Sequence, residues 1–142
     1  MEYLAKFTPD RKAGGYVVTF PDVAGAVTEG DTLEEAKAMA AEALELALTF
    51  YIDRGAELPV ARAKPGRFMH LIRVSAAVDT KLQLYSAWLS SGIRKAEFAR
   101  RIGISKTNID RLFDISHETR LEQLEAAFLA LGLKVVIQVR AA

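Results

Sequence analysis

The chain opens with two short runs in which apolar and polar positions alternate. In "YLAKFT", Tyr3, Ala5 and Phe7 fall on one side and Leu4, Lys6 and Thr8 on the other; "GYVVTF" repeats the pattern with Tyr16, Val18 and Phe20. A period of two marks a half-buried strand, and the intervening "PDRKAGG" has the chemistry of a hairpin connection. Pro21 ends the second strand, because proline has no N–H to give to a ladder. A short third strand is predicted at "AVTEG". The period then changes: Leu33, Ala36, Ala40, Leu44, Ala47 and Tyr51 recur at helical spacing, which predicts one long helix with a single buried stripe. Thr32 and Glu35 read as its capping box, and Gly55 is placed to stop it. "AELPVARAKPGR" has two prolines and no period and reads as a loop. "FMHLIRV" is apolar on both faces, which predicts an interior strand of the same sheet. Residues 1–75 therefore read as a β-β-β-α-β unit with one helix packed on a small sheet.

The second half is helical, with a boundary near residues 75–78. "DTKLQLYSAWLSSG" predicts a first helix with Leu82, Tyr85 or Ser86, and Leu89 on its inner face. "RKAEFARRIG" predicts a second, with Phe98, Ala99 and Ile102 inward. "SKTNIDRLF" predicts a third, capped by Ser105, with Ile109, Leu112 and Phe113 inward. "TRLEQLEAAFLALG" predicts a fourth, with Thr119 and Glu122 as a capping box and Gly132 as its stop. Trp88 falls among helical core positions and reads as packing. "KVVIQV" closes the chain as a short strand, with Val135, Ile137 and Val139 on one face and Val136 and Gln138 on the other. The fold class is α+β: a sheet-and-helix unit at residues 1–75, then an all-α unit with a C-terminal strand at residues 79–142.

Within the second half, Ala99 is followed by Gly103, Ile104 and Ile109. Two helices that cross closely need a small residue at the crossing, a glycine free to take φ > 0 at the turn, and apolar residues to plug the next helix into the core. The series meets all three demands. The remaining side chains of the third helix, Lys106, Thr107, Asn108, Asp110 and Arg111, then project outward, as polar groups able to meet base edges and phosphates. The plain alternative is a helical hairpin with solvated charges. The stretch resembles the lambda-repressor-like (Xre-type) helix-turn-helix family over residues 79–133. That resemblance implies DNA contacts from Lys95, Lys106 and Thr107, with Asn108 and Arg111 on or beside the same face. Asp110 departs from a favourable surface; its carboxylate repels phosphate unless it meets a cytosine or holds Arg111.

Charge divides the same way. Nine basic residues face eleven acidic ones as far as Val78, and ten face seven from Asp79 onward; six of the ten lie between Arg94 and Arg111. Halves of opposite sign suggest different partners. The absence of cysteine excludes disulfides and thiolate metal sites. "MEYLAKFTPDRK" has no apolar core of the signal-peptide kind, and no apolar run reaches membrane-spanning length, so the expected location is the cytoplasm.

The first half carries its own resemblance. "GGYVVTFPDVAGAVTEGDTLEEA", residues 14–36, is similar to the signature of the HicB antitoxins: Gly-Gly-Tyr, a strand, Phe-Pro-Asp, then Thr-x-Gly-Asp-Thr-x-Glu-Glu-Ala entering a helix. A helix-turn-helix behind it matches one HicB subgroup. The resemblance implies a trimmed ribonuclease H fold for residues 1–75, a small basic ribonuclease toxin (HicA-like) as partner, and repression of the shared operon through operator DNA. Ribonuclease H chemistry itself needs several carboxylates around two divalent metals. Here Glu2 stands only at the edge of the first strand. Asp22 and Asp31 read as turn and cap residues, and Glu34, Glu35, Glu42 and Glu45 as a solvated helix face. His70 and His117 lie far apart in sequence and make a poor metal set, although His117 can approach a DNA phosphate. Catalysis, metal and cofactor are therefore not expected. The competing reading is a ligand-sensing repressor with a small N-terminal sensor; a unit of this size has little volume for a pocket once its own core is filled. One helix-turn-helix covers only a half-site, so at least a dimer is expected. The last strand, through Val135, Ile137 and Val139, pairs either with its copy across a two-fold axis or with the sheet of its own chain.

Overall fold

The computed structural model describes residues 1–142 as two compact units, Met1–Asp79 and Thr80–Ala142. The first unit holds strands β1 (Glu2–Pro9), β2 (Tyr16–Thr19) and β3 (Val27–Gly30), helix α1 (Leu33–Asp53) and strand β4 (Met69–Arg73). All pairings are antiparallel and the sheet order is β3-β2-β1-β4. The register sets Tyr3 opposite Ile72 and Phe7 opposite Val18, so the alternation in sequence becomes one continuous apolar face. Tyr3, Ala5, Phe7, Val18 and Ile72 are buried there with Ala36, Ala40, Leu44, Ala47 and Leu48 of α1. Each large side chain so buried contributes about 1.5–3 kcal/mol.

The caps form as their chemistry demands. Thr32 Oγ1 accepts from the Glu35 N–H at 3.1 Å, and Glu35 Oε2 accepts from the Asp31 N–H at 3.1 Å. At the other end the Gly55 N–H reaches the Ile52 carbonyl and the Ala56 N–H the Tyr51 carbonyl, a Schellman closure that places Gly55 at φ +66°.

Two glycines of the signature hold their place by lack of space. A Cβ on Gly15 would lie 2.3 Å from the Gly30 carbonyl oxygen, and one on Gly30 would lie 2.5 Å from the Ala36 nitrogen. The end of the β2–β3 ribbon is pressed against the first turn of α1, and only bare backbone fits between them.

The loop between α1 and β4 is tied down by two long-range contacts. Asp22 Oδ2 accepts from the backbone N–H groups of Arg62 at 2.8 Å and Ala63 at 2.7 Å, so Asp22 is a loop anchor and not merely a turn residue. Tyr3 donates its hydroxyl to the Pro59 carbonyl at 2.7 Å. Burial, then the neighbouring Tyr51 and Asp22, pushes the Tyr3 hydroxyl from 10.0 up to about 12. A raised folded-state pKa gives stability that is complete below the unfolded value and is lost as pH rises through the folded one. Tyr3→Phe should therefore cost about 1 kcal/mol near neutrality. Urea unfolding of the two proteins should show that gap constant up to pH 10 and closing between there and about 12.

Three expectations are corrected. The strand at "FMHLIRV" is not interior: β4 pairs only with β1 and lies at the sheet edge, where Leu71 is exposed and only Ile72 is fully covered. Its apolar residues reflect two half-covered faces, not a central position. The C-terminal strand does not form within the chain. Residues 134–142 carry no ladder, and the sheet contains only the four strands named, so the pairing with its own sheet does not occur. An alternating pattern supplies a face but not the partner backbone that makes it a strand. Third, the last helix starts at Leu121 with Arg120 as N-cap and no side-chain cap, so Thr119 and Glu122 do not make a capping box. The cap falls one residue late for it, and the Thr119 hydroxyl lies buried without a hydrogen-bond partner.

The remaining helices are α2 (Ala76–Ser91), α3 (Lys95–Ile102), α4 (Lys106–Phe113) and α5 (Leu121–Ala130). Helix α2 starts three residues earlier than the sequence pattern suggested, so the boundary between units falls inside its first turn. Tyr85, Trp88, Phe98 and Phe113 form an aromatic cluster in which Phe113 lies 5.0 Å from Trp88 and 5.5 Å from Tyr85 between ring centroids. Trp88 thus has the packing role its spacing indicated, with its indole N–H buried and unpartnered. Gly132 closes α5 at φ +74°, with the Leu133 N–H bonded to the Phe128 carbonyl.

Candidate nucleic-acid interface

Helices α3 and α4 are short, and each is fixed at its ends by local chemistry. Gly103, at φ +84°, ends α3; its N–H and that of Ile104 both bond to the Ala99 carbonyl. Ser105 then caps α4, its Oγ accepting from the Asn108 N–H at 3.3 Å. Ala99 is buried under this turn, and Ile109, Leu112 and Phe113 lock α4 into the unit. Ile104 is only half-covered.

Lys106, Thr107, Asn108, Asp110 and Arg111 are all exposed on α4. At 100° per residue, Thr107 and Arg111 form the crest of that face. Lys106 and Asp110 flank it on one side and Asn108 on the other. Asp110 does not hold Arg111. Its carboxylate takes Lys95 Nζ at 2.8 Å, joining the start of α3 to the middle of α4, while the same ammonium lies 5.9 Å above the Trp88 ring. The charge that looked unfavourable beside a phosphate is thereby offset within the protein, and Lys95 is committed to a partner.

The basic run is also less free than its count suggests. Arg100 and Arg101 both pair with Glu97, Arg101 at 3.2 Å. The hydrogen bond from Arg101 is the main reason the Glu97 carboxyl sits below the ordinary range. Arg94, Lys106 and Arg111 are left without an ionic partner. These three are the cations best able to neutralise phosphates.

One residue that controls this surface escaped the sequence reading. Lys81 is 3% exposed, and its Nζ donates to the carbonyls of Arg111 at 3.0 Å, Asp114 at 2.8 Å and His117. The end of α4 and the turn after it thus converge on one ammonium. A cation there satisfies carbonyls that have no helical partner and meets the negative end of the helix dipole. Burial pushes the Lys81 ammonium below the ordinary lysine range, against the opposing pull of Asp114. The signal was legible: Val78, Lys81, Leu82 and Tyr85 share helical spacing, so a lysine occupies a position of the buried stripe. Beside this turn, Asp114 Oδ1 accepts from the Ser116 N–H at 3.0 Å and hydroxyl at 2.6 Å. Those bonds hold the Asp114 carboxyl below its ordinary range.

His117 is exposed and lies along an open groove of about 400 Å³ between α4 and α5, whose walls include Asn108, Arg111, Leu112 and Thr119. His70 instead packs edge-on against Phe7, with ring centroids 4.8 Å apart. No three His, Asp or Glu side chains gather as a metal site would require. No helix is long and apolar enough to cross a membrane.

The architecture is that of an α+β protein: a four-stranded antiparallel sheet backed by one helix, followed by four helices. The profile of the family described as "HicB_like antitoxin of bacterial toxin-antitoxin system" matches residues 2–83. Antitoxin HicB of Escherichia coli (strain K12) is 38% identical over 132 residues, covering 93% of this chain and 94% of that protein. Antitoxin HicB of Pseudomonas fluorescens (strain Pf0-1) is 38% identical over 113 residues, covering 80% of this chain and 77% of that one. A chain of the solved "Toxin-Antitoxin complex from Streptococcus pneumoniae" aligns with a TM-score of 0.45 and 20% identity over 76% of this chain and 92% of its own length. The chain belongs to the HicB-like antitoxin family of bacterial toxin–antitoxin systems.

Proposed function

We propose that this chain is a non-enzymatic antitoxin of the cytoplasm with two working surfaces. The unit Met1–Asp79, read as a trimmed ribonuclease H-like fold, binds and silences a small HicA-like ribonuclease toxin. The unit Thr80–Ala142, read as a helix-turn-helix domain, represses the operon by placing α4 in the major groove of operator DNA. The observation that carries the second role is the exposed face of α4, with Thr107 and Arg111 on its crest and Lys106 and Asn108 on its flanks, on a helix held rigidly from behind by Ile109, Leu112 and Phe113. Rigid presentation of short and long polar groups is what base-edge readout needs.

Operator binding by the Lys106→Ala/Thr107→Ala variant tests it. A loss of roughly 1–3 kcal/mol that depends on operator sequence is expected. Arg111→Ala should weaken binding more evenly and flatten its salt dependence. Lys95→Ala should have the smaller effect on DNA, because its ammonium already serves Asp110. Unchanged affinity of the double variant at fixed salt would remove α4 from the interface.

The operator-binding form is a symmetric dimer, which presents two recognition helices about 34 Å apart. Support comes from the tail: Val136, Ile137 and Val139 are 80%, 65% and 89% exposed, with Val135 half-buried. A copy of the same segment across a two-fold axis would satisfy both its backbone and its apolar face. Deleting residues 134–142 should lower the sedimenting mass and weaken operator binding about tenfold or more, with toxin binding intact. An unchanged assembly with full operator affinity would clear the tail of this role.

A further inference from the structure

The outer side of α1 was expected to be a solvated acidic face, and it is not uniformly so. Met39, Leu46 and Phe50 are 37%, 61% and 57% exposed. At 100° per residue the three fall within about 40° of arc, with half-buried Ala43 just beyond it on the side that turns into the core. Single exposed apolar residues are ordinary; three aligned along three turns of one helix form a continuous strip that calls for a cover. Along one flank of the strip run Glu35, Glu42 and Asp53, all exposed. The helix as a whole carries five carboxylates and one lysine.

Charge decides what the cover is. In an antiparallel pairing of two copies, the acidic flanks lie on the same side of the seam and face each other. In a parallel pairing, each acidic flank meets the alanine side, where Ala36 and Ala47 turn into the core. Both arrangements set carboxylates against like charge or bare apolar surface, which disfavours self-association. An apolar segment bordered by lysine or arginine covers the strip and answers the acidic row together.

We propose that the Met39–Leu46–Phe50 strip of α1, with its flanking carboxylates, is the docking surface for a cationic amphipathic segment of the toxin. This rests on the antitoxin reading and names the part of the first unit that executes it. Two variants of the full chain test it against a HicA-like toxin, inactivated by substitution so that only binding is read: Leu46→Ser/Phe50→Ser and Glu42→Lys/Asp53→Lys. Calorimetric titration at low and high salt should show the first pair binding at least about 30-fold more weakly. The second should lose affinity mainly at low salt, with a flattened salt dependence. All four residues are exposed or at the helix surface, so thermal midpoints should hold and loss of binding should not reflect unfolding. Toxin affinity within twofold of the parent in either pair overturns the proposal. So does unchanged toxin binding with a lowered sedimenting mass, which would assign the strip to a second copy. A parent chain that fails to bind the toxin overturns the antitoxin reading, and the docking surface with it.

Discussion

Gly30→Ala should cost the first unit at least about 3 kcal/mol, enough to abolish most of the stability of a marginal domain. The added Cβ would sit 2.5 Å from the Ala36 nitrogen and 2.6 Å from its Cα. Both are backbone atoms in the first turn of a helix whose cap, Thr32 to Glu35, is already closed, so neither can yield without moving α1 off the sheet. Gly14→Ala is the control. Its position, unlike that of Gly30, is at positive φ, +77°, but nothing lies within 4 Å of its Cβ, so only the conformational strain of about 1 kcal/mol is expected. Denaturant unfolding of the two variants separates steric exclusion from backbone strain. Equal losses would mean that packing against α1 is not what requires a glycine at position 30.

The second large effect is expected at Lys81. Lys81→Met keeps the length and apolar stem of the side chain and leaves the carbonyls of Arg111, Asp114 and His117 facing an uncharged group. Unsatisfied buried carbonyls cost about 1–3 kcal/mol each, and this site is partly open to relaxation, so a loss of roughly 3 kcal/mol is expected. Trp88, the one tryptophan, packs against Phe113 at the end of α4, and its fluorescence reports the transition. On the proposal that α4 meets the operator, affinity should fall in parallel even under conditions where the variant is folded, because the end of that helix has lost its anchor. Lys81→Arg, which keeps the charge, should lose less. A Lys81→Met protein within 0.5 kcal/mol of the parent, by the ~0.5 kcal/mol scale of ordinary surface changes, would show that the three carbonyls find other partners.

Much of this molecule is written locally. The strands of the first unit, the caps at Thr32 and Ser105 and the stops at Gly55, Gly103 and Gly132 follow from residue chemistry that acts within a turn or two. The exposed set Lys106, Thr107, Asn108, Asp110 and Arg111 was readable for the same reason, since helical periodicity fixes which side chains point outward once Ile109 and Leu112 are known to point in. The family signature at residues 14–36 was equally plain, but the reason for its glycines was not: the close approach of Gly15 to Gly30, and of Gly30 to Ala36, exists only when ribbon and helix are packed together.

What tertiary structure alone decided has a common cause: each case turns on a partner distant in sequence. Whether "FMHLIRV" is central or at an edge depends on how many strands pair with it, and apolar content does not count neighbours. Asp110 looked like a liability until Lys95, fifteen residues away, proved to hold it. Asp22 reads as a turn residue until the backbone of Arg62 and Ala63 arrives forty residues later. The "KVVIQV" segment shows the limit from the other side, for its alternating pattern is clear and the chain still gives it no strand to pair with. Short-range propensity and periodicity are properties of the sequence by itself. Burial of a charge, the mate of an ion pair and the edge of a sheet are properties of two segments at once, and they come into being only when the chain folds.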